Sequence, residues 1–286
     1  MPINPDAVGN VGAPEESSWS SQDALLYAVG VGGGQDPLDR LELPYTTENS
    51  MEVDQRVLPT MAVVLAKSTS VFGTVGTFNP AMLVHGEEKI YLHREIPVSG
   101  TLVCTPEVTA IWDKGKGAVI EAMARCVLKD SDEPLFDVVM SAFIRGEGGW
   151  GGERGPSGPQ NEAPDRDPDH TVTYTTRPEQ PFIYRLSGDR NPLHSDPSFA
   201  ALAGFDRPIL HGLCTYGFTG RALLHTLCGS DAARFTSMEA RFSSPVFAGE
   251  DLTIKMWETS DGEALYRTEG GDGRVVIDSG KVTFTA

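Results

Sequence analysis

The sequence predicts an α+β protein made of two similar halves, each a helical segment followed by a run of antiparallel strands. Three observations carry this. A Gly/Pro-rich stretch, Gly146 to His170, divides the chain near its middle and lacks the apolar side chains to build structure of its own. On either side of it, a helical pattern precedes strand-like segments in the same order. Within those segments apolar residues recur with the period of two that a half-buried strand requires. The expected division is therefore 1–145 as an N-terminal half, 146–170 as a linker and 171–286 as a C-terminal half.

In the first half, the helical pattern covers Thr60 to Lys67 or a little beyond. A strand over Ile90 to Pro97 leads through Val98-Ser99-Gly100 into strands between Leu102 and Phe143. There Val103, Thr105, Val108, Ala110 and Trp112 alternate, as do Ala118, Ile120, Ala122, Ala124, Cys126 and Leu128. Asp113-Lys114-Gly115 is the hairpin turn between them. In the second half a longer helix is expected over Leu213 to Leu227, with Leu213, Tyr216, Gly217, Gly220 and Leu224 at helical spacing. Its small residues, Gly217 and Gly220, suit close packing against a sheet. A strand from Met238 to Phe247 then passes through Ala248-Gly249-Glu250 into strands ending at Phe284, with Ser260-Asp261-Gly262 as a turn.

Composition narrows the function. With 286 residues, 40% of them hydrophobic, the chain has material for one large core or two small ones. A net charge of -17 argues against a nucleic-acid or anionic-membrane partner. Cys104, Cys126, Cys214 and Cys228 sit among apolar neighbours with no C-x-x-C spacing, as buried free thiols do. The six histidines show no zinc spacing, so no metal site is expected. Residues 1–16 have neither the basic nor the apolar region of a secretory signal, and no stretch reaches the roughly 20 apolar residues of a membrane span. A cytoplasmic protein is expected.

The most informative stretch is Tyr184 to His194, Y-R-L-S-G-D-R-N-P-L-H. It places the Asp189 carboxylate, the Asn191 amide and the His194 imidazole around a Gly-Asp turn signal and a proline. Asn191-Pro192 argues against a regular helix, so a tight loop converges the side chains. A carboxylate and an imidazole that meet can hold one water and exchange protons with it near neutral pH. The alternative is a capped loop, with Asp189 in an Asx-turn and His194 half-exposed. Downstream, Pro208-Ile209-Leu210-His211-Gly212 opens the long helix. Gly212 lies in its first turn, where N–H groups have no partner and the dipole favours an oxyanion. Alternatively, Gly212 is a glycine required at a strand-to-helix corner.

The run Y-R-L-S-G-D-R-N-P-L-H-S-D-P followed by P-I-L-H-G resembles the signature of the MaoC-like, or type 2, (R)-specific enoyl-CoA hydratases, hotdog-fold enzymes also found as a domain of peroxisomal multifunctional proteins. The resemblance is strong from Tyr184 onward and weaker before it. It implies a double hotdog: in each half, a helix embraced by an antiparallel sheet. It also implies hydration of a trans-2-enoyl-CoA to a (3R)-3-hydroxyacyl-CoA in fatty-acid or steroid side-chain β-oxidation, without a cofactor, by a homodimer. Asp189 would be the principal base, with His194 orienting the water. Asn191 would hold the pair or the substrate's polar atoms in register, and the Gly212 N–H would take the oxyanion. His211 would fix the loop that aims Gly212. Substrate contacts would come from Arg190, Pro192 and Leu193 beside the catalytic residues, from Phe242, and from His85, Gly86 and Lys114 in the first half. An anionic CoA needs a local basic patch, for which Lys114, Lys116, Arg185, Arg190, Arg207 and Arg241 are available.

Laid over the second half, the first half puts Gly32 at the acid position and Pro37 at the imidazole position. Leu58-Pro59-Thr60 falls where Leu210-His211-Gly212 stands. The first half is thus disarmed, and the resemblance assigns it to the acyl chain, with Gly30 to Gly34 widening the pocket or serving as plain loop. Glu88, after His85-Gly86-Glu87, departs from what relatives often carry there. The competing readings are a hotdog acyl-CoA thioesterase, an acyl-carrier-protein dehydratase, and a non-catalytic acyl-CoA-binding subunit.

Overall fold

The computed structural model describes residues 3–157 and 160–285. The strands are β1 (Glu15–Trp19), β2 (Leu83–Leu92), β3 (Gly100–Asp113), β4 (Gly117–Leu128), β5 (Pro134–Arg145), β6 (His170–Thr175), β7 (Phe235–Phe242), β8 (Asp251–Ser260), β9 (Glu263–Gly270) and β10 (Val275–Phe284). They form one ten-stranded antiparallel sheet in the order β1-β3-β4-β5-β2-β7-β10-β9-β8-β6. Each half contributes five strands in equivalent order. The halves join where β2 pairs with β7, from Glu87 opposite Arg241 to Tyr91 opposite Ser237.

The alternation in β4 is as expected, with Ala118, Ile120, Ala122, Ala124 and Cys126 buried. In β3 the buried face is instead Leu102, Cys104, Val108 and Ile111, and a bulge between Val108 and Ala110 switches the facing. Two expected strands stop short of a proline. The one expected to reach Pro97 ends at Leu92, and the one expected to reach Phe247 ends at Phe242, before Ser243-Ser244-Pro245. Proline lacks the N–H that a ladder needs.

The helices are α1 (Ser21–Gly30), α2 (Leu43–Thr46), α3 (Ala62–Leu65), α4 (Gln180–Tyr184), α5 (Pro197–Leu202) and α6 (Gly212–Leu227). A capping box between Ser20 and Asp23 starts α1. The helix expected over Thr60 to Lys67 shrinks to a 3-10 turn, Pro59–Met61, and the single turn of α3. Val63 and Val64 are weak helix formers, and Lys67-Ser68-Thr69-Ser70 offers no apolar face to carry the helix further.

The long α6 therefore serves both halves. Its glycine stripe faces first-half segments as well as the sheet. A Cβ on Gly217 would stand 2.3 Å from Val31, and one on Gly220 would stand 2.4 Å from Thr60. One large core follows, joining Tyr27, Val31 and Met61 to Phe218, Leu223 and Met238. A smaller core under residues 71–78 gathers Val71, Phe72, Val108, Ile120 and Ile144.

Far from α6's N-terminus, a buried ionic clasp locks the halves together. Glu42 accepts from Arg221 Nη2 at 2.6 Å and from His225 Nε2 at 3.1 Å, while Arg221 Nη1 donates to the Val31 carbonyl at 2.8 Å. Burial pushes the Glu42 carboxyl up. The His225 bond and the Arg221 charge outweigh burial and hold it at about 2.

Segment 146–169 carries no helix or strand among its described residues, but it is not free in solvent. The Asp113 carboxylate accepts N–H bonds from Gly115, Gly149 and Gly151 at 2.7–2.8 Å. Trp150 packs on the smaller core, and Trp257 Nε1 donates to the Arg166 carbonyl at 2.9 Å. The segment is a strap laid across the sheet.

Candidate active site

The catalytic loop is built by turn chemistry acting over two or three residues. After α4 and a 3-10 turn over Arg185–Ser187, Gly188 adopts φ 136°, which an L side chain rarely does. Asp189 Oδ1 then accepts the Asn191 N–H at 3.0 Å. Asn191 Oδ1 in turn accepts the Leu193 N–H at 3.0 Å, capping the 3-10 turn Pro192–His194. The Asx-turn reading of Asp189 is correct, and the loop it makes delivers His194 into the protein, where it is 8% exposed instead of half-exposed. Asn191 acts on the loop itself, holding the Asp189–His194 spacing.

His194 Nδ1 lies 2.9 Å from the Ile209 carbonyl. A carbonyl only accepts, so Nδ1 carries the proton and the Nε2 lone pair is left free. His211, buried at the N-cap of α6, donates from Nε2 to the Asp189 carbonyl at 3.3 Å. Its ring stacks on His194 with centroids 3.9 Å apart and planes 30° apart. Asp189, His194 and His211 bring one donor atom each within 4.8 Å of the others.

Burial pushes the His194 pKa down, partly offset by the Ile209 bond and the Asp189 charge. Burial, with His194 beside it, takes His211 down to about 4. Both rings are therefore neutral at pH 7, and His194 can accept a proton from water.

Gly212, the first residue of α6, is exposed, and no side chain caps the helix. A Cβ built there would lie 3.4 Å from the Phe242 ring, so Phe242 borders Gly212. A cavity of about 600 Å³ has a lining that includes Phe242, His85, Gly86, Lys114, Lys89 and Arg241. Four of the expected substrate contacts thus share one cavity. The other three, Arg190, Pro192 and Leu193, lie on the catalytic loop, the first two exposed and Leu193 half-buried. Of the expected basic patch, Lys114 and Arg241 line the cavity. Lys89 was missed, although its place on the outward face of a strand was a usable signal. Lys114 Nζ donates to the Pro156 carbonyl of the strap at 2.9 Å.

Gly30 to Gly34 widen nothing. Gly32 lies against the Phe218 ring and Gly33 against the Ala28 carbonyl, so close approach is what these glycines permit. Also missed were the stacking of His211 on His194, the approach of Tyr184 to His211 with ring centroids 5.0 Å apart, and the bond between His85 and Glu88.

Comparison with known proteins identifies the family. The MaoC like domain model matches residues 159–278, and the MFE-2 hydratase 2 N-terminal domain model matches residues 17–146. The chain is 47% identical to 3-hydroxyacyl-thioester dehydratase Y of Mycobacterium tuberculosis, covering 100% of both chains. It is 42% identical to Enoyl-CoA hydratase ChsH3 of the same organism, covering 93% of this chain and 92% of the other. The crystal structure of a MaoC-like dehydratase from Phytophthora capsici superposes with a TM-score of 0.87 at 34% identity, covering 99% and 98% of the two chains. A Mycobacterium tuberculosis protein with a double hotdog fold shares that fold at a TM-score of 0.61 and 15% identity, over 97% and 96% of the chains. The chain belongs to the MaoC-like dehydratase and MFE-2 hydratase 2 family, as a hydro-lyase with the double hotdog fold.

Proposed function

We propose that the protein adds water to a trans-2-enoyl-CoA to give the (3R)-3-hydroxyacyl-CoA, and catalyses the reverse elimination. The observation that carries this is the meeting of Asp189 and the buried His194 on one loop, beside the uncapped N-terminus of α6. One water sits between the Asp189 carboxylate and His194 Nε2. Its oxygen bonds to Cβ as one O–H bond breaks, and Asp189 takes the proton. The π electrons move toward the thioester, and the Gly212 N–H stabilises the resulting enolate oxygen. The proton then passes to Cα, giving syn addition when the same water supplies both atoms. Asp189 and His194 act as one coupled unit in this transfer.

CoA occupies the cavity lined by His85, Gly86, Lys114 and Phe242, with Lys89 and Arg241 supplying positive charge in a chain of net charge -17. Arg190, Pro192 and Leu193 border the thioester from the catalytic loop. The acyl chain is assigned to the first half of the protein. The names of the two Mycobacterium tuberculosis relatives cover both directions, hydration of an enoyl-CoA and dehydration of a 3-hydroxyacyl thioester. A homodimer in the cytoplasm completes the proposal; sedimentation equilibrium tests the first part and cell fractionation the second.

The deciding experiment follows the absorbance of the conjugated thioester with crotonyl-CoA, a medium-chain enoyl-CoA and a bulky ring-bearing enoyl-CoA, for wild type and Asp189→Asn. Loss of absorbance in wild type alone, with an (R)-hydroxy product, supports the proposal and ranks the acyl groups. Release of free CoA thiol without hydration would favour a thioesterase. Binding without turnover would favour an acyl-CoA-binding subunit.

A further inference from the structure

Glu88 lies at the seam of the sheet, paired with Met140 on β5 and Ala240 on β7. Its side chain turns into the core and is 3% exposed. A buried carboxyl destabilises a core unless it is hydrogen-bonded, and burial drives the Glu88 pKa upward. Its partner is His85 Nε2, at 2.9 Å. The same nitrogen lies 3.1 Å from the Glu87 carbonyl, which only accepts, so Nε2 carries the proton and Glu88 receives it. The contact depends on a β-bulge: the register of β2 shifts between His85 and Glu87, and Gly86 is the extra residue.

From His85 the contacts continue toward the reaction centre. Its ring meets Phe242 edge-on, with centroids 5.0 Å apart and planes at 69°. The Phe242 ring lies 3.4 Å from the Cβ position of residue 212. Glu88, His85, Phe242 and Gly212 therefore form one line of contacts that crosses the seam and ends at the amide that holds the oxyanion. Both of the first two links, Glu88 and His85, come from the first half of the chain.

We propose that Glu88 is a positioning residue for the hydration: by fixing the His85 ring it sets the Phe242 ring, which holds the thioester carbonyl against the Gly212 N–H. This rests on the function proposed above. A misplaced carbonyl weakens the transition state more than the bound substrate, so the effect belongs in kcat.

The test is steady-state hydration kinetics with a wild-type-active enoyl-CoA. Glu88→Leu is expected to lower kcat by about 30- to 100-fold with KM changed by less than about threefold. Glu88→Gln, which keeps an acceptor oxygen for His85 Nε2, is expected to run about tenfold or more faster than Glu88→Leu. In a Phe242→Ala background, Glu88→Leu should lower kcat by less than about threefold more, because the link is already cut. Should Glu88→Leu fail to fold, His85→Ala probes the same line and must show the same non-additivity with Phe242→Ala. An unchanged kcat in Glu88→Leu, or additive losses with Phe242→Ala, overturns the positioning role while the hydratase stands. A wild type that hydrates no enoyl-CoA overturns the function proposal instead.

Discussion

Gly212→Ala separates catalysis from folding at this site. Gly212 lies in the first turn of α6, outside the left-handed backbone region, so alanine meets no backbone strain there. The added methyl would lie 3.4 Å from two Phe242 ring carbons and 3.7 Å from a third, which is ordinary contact. Alanine is favoured over glycine within helices by roughly 0.5–1 kcal/mol, so stability should hold or rise, shifting Tm upward by at most about 1–4 °C. In the mechanism proposed above, the same methyl crowds the thioester oxygen as it approaches the Gly212 N–H. Losing one oxyanion donor costs about 2.7–4 kcal/mol, or about 10²–10³ in kcat. The assay pairs a thermal melt with the decay of enoyl-thioester absorbance. A kcat within threefold of wild type would refute the oxyanion role. A Tm lowered by several degrees would instead mark Gly212 as a glycine required by the strand-to-helix corner.

Asp189→Asn preserves the Asx-turn oxygen but removes the base, so kcat should fall by about 10²–10⁴ with Tm little changed; a large fall in Tm would assign Asp189 to structure. Glu42→Ala strands the buried Arg221 and should cost about 3–5 kcal/mol, lowering Tm by roughly 6–20 °C, and adding Arg221→Met should recover much of it. The stacked pair His194 and His211 predicts an acid-side loss of stability. Their folded pKa values are depressed, so the unfolded chain takes up protons first as pH falls. Stability should be complete above about 6.5 and decline as pH drops toward 4, with hydration falling over the same range as His194 is protonated; a Tm flat between pH 7 and 5 would contradict this.

The parts legible in the sequence are those whose causes act over a few residues. The catalytic loop is an Asx-turn at Asp189, a cap at Asn191 and a positive φ at Gly188, each set by neighbours two or three positions away. The α6 helix and the strand β4 follow from periodicities of 3.6 and 2 that apolar residues write directly into the chain. The repeated order of elements follows from the same patterns.

What tertiary structure decided lies across long separations. Arg221 meets Glu42 over 179 residues, and strands β2 and β7, from opposite halves, pair to make one sheet of two. Whether a glycine opens a pocket or admits a neighbour depended on what reached it. Phe218 reached Gly32, Val31 reached Gly217 and Thr60 reached Gly220, contacts that no local periodicity encodes. The strap looked like a linker because its structure comes from Asp113, a residue outside it that gathers its N–H groups. The sequence by itself determined the turns that build the loop from Gly188 to His194, because those bonds are local. The shape of the surrounding site, down to the Glu88–His85–Phe242 line, was decided by packing between segments that meet only in the folded chain.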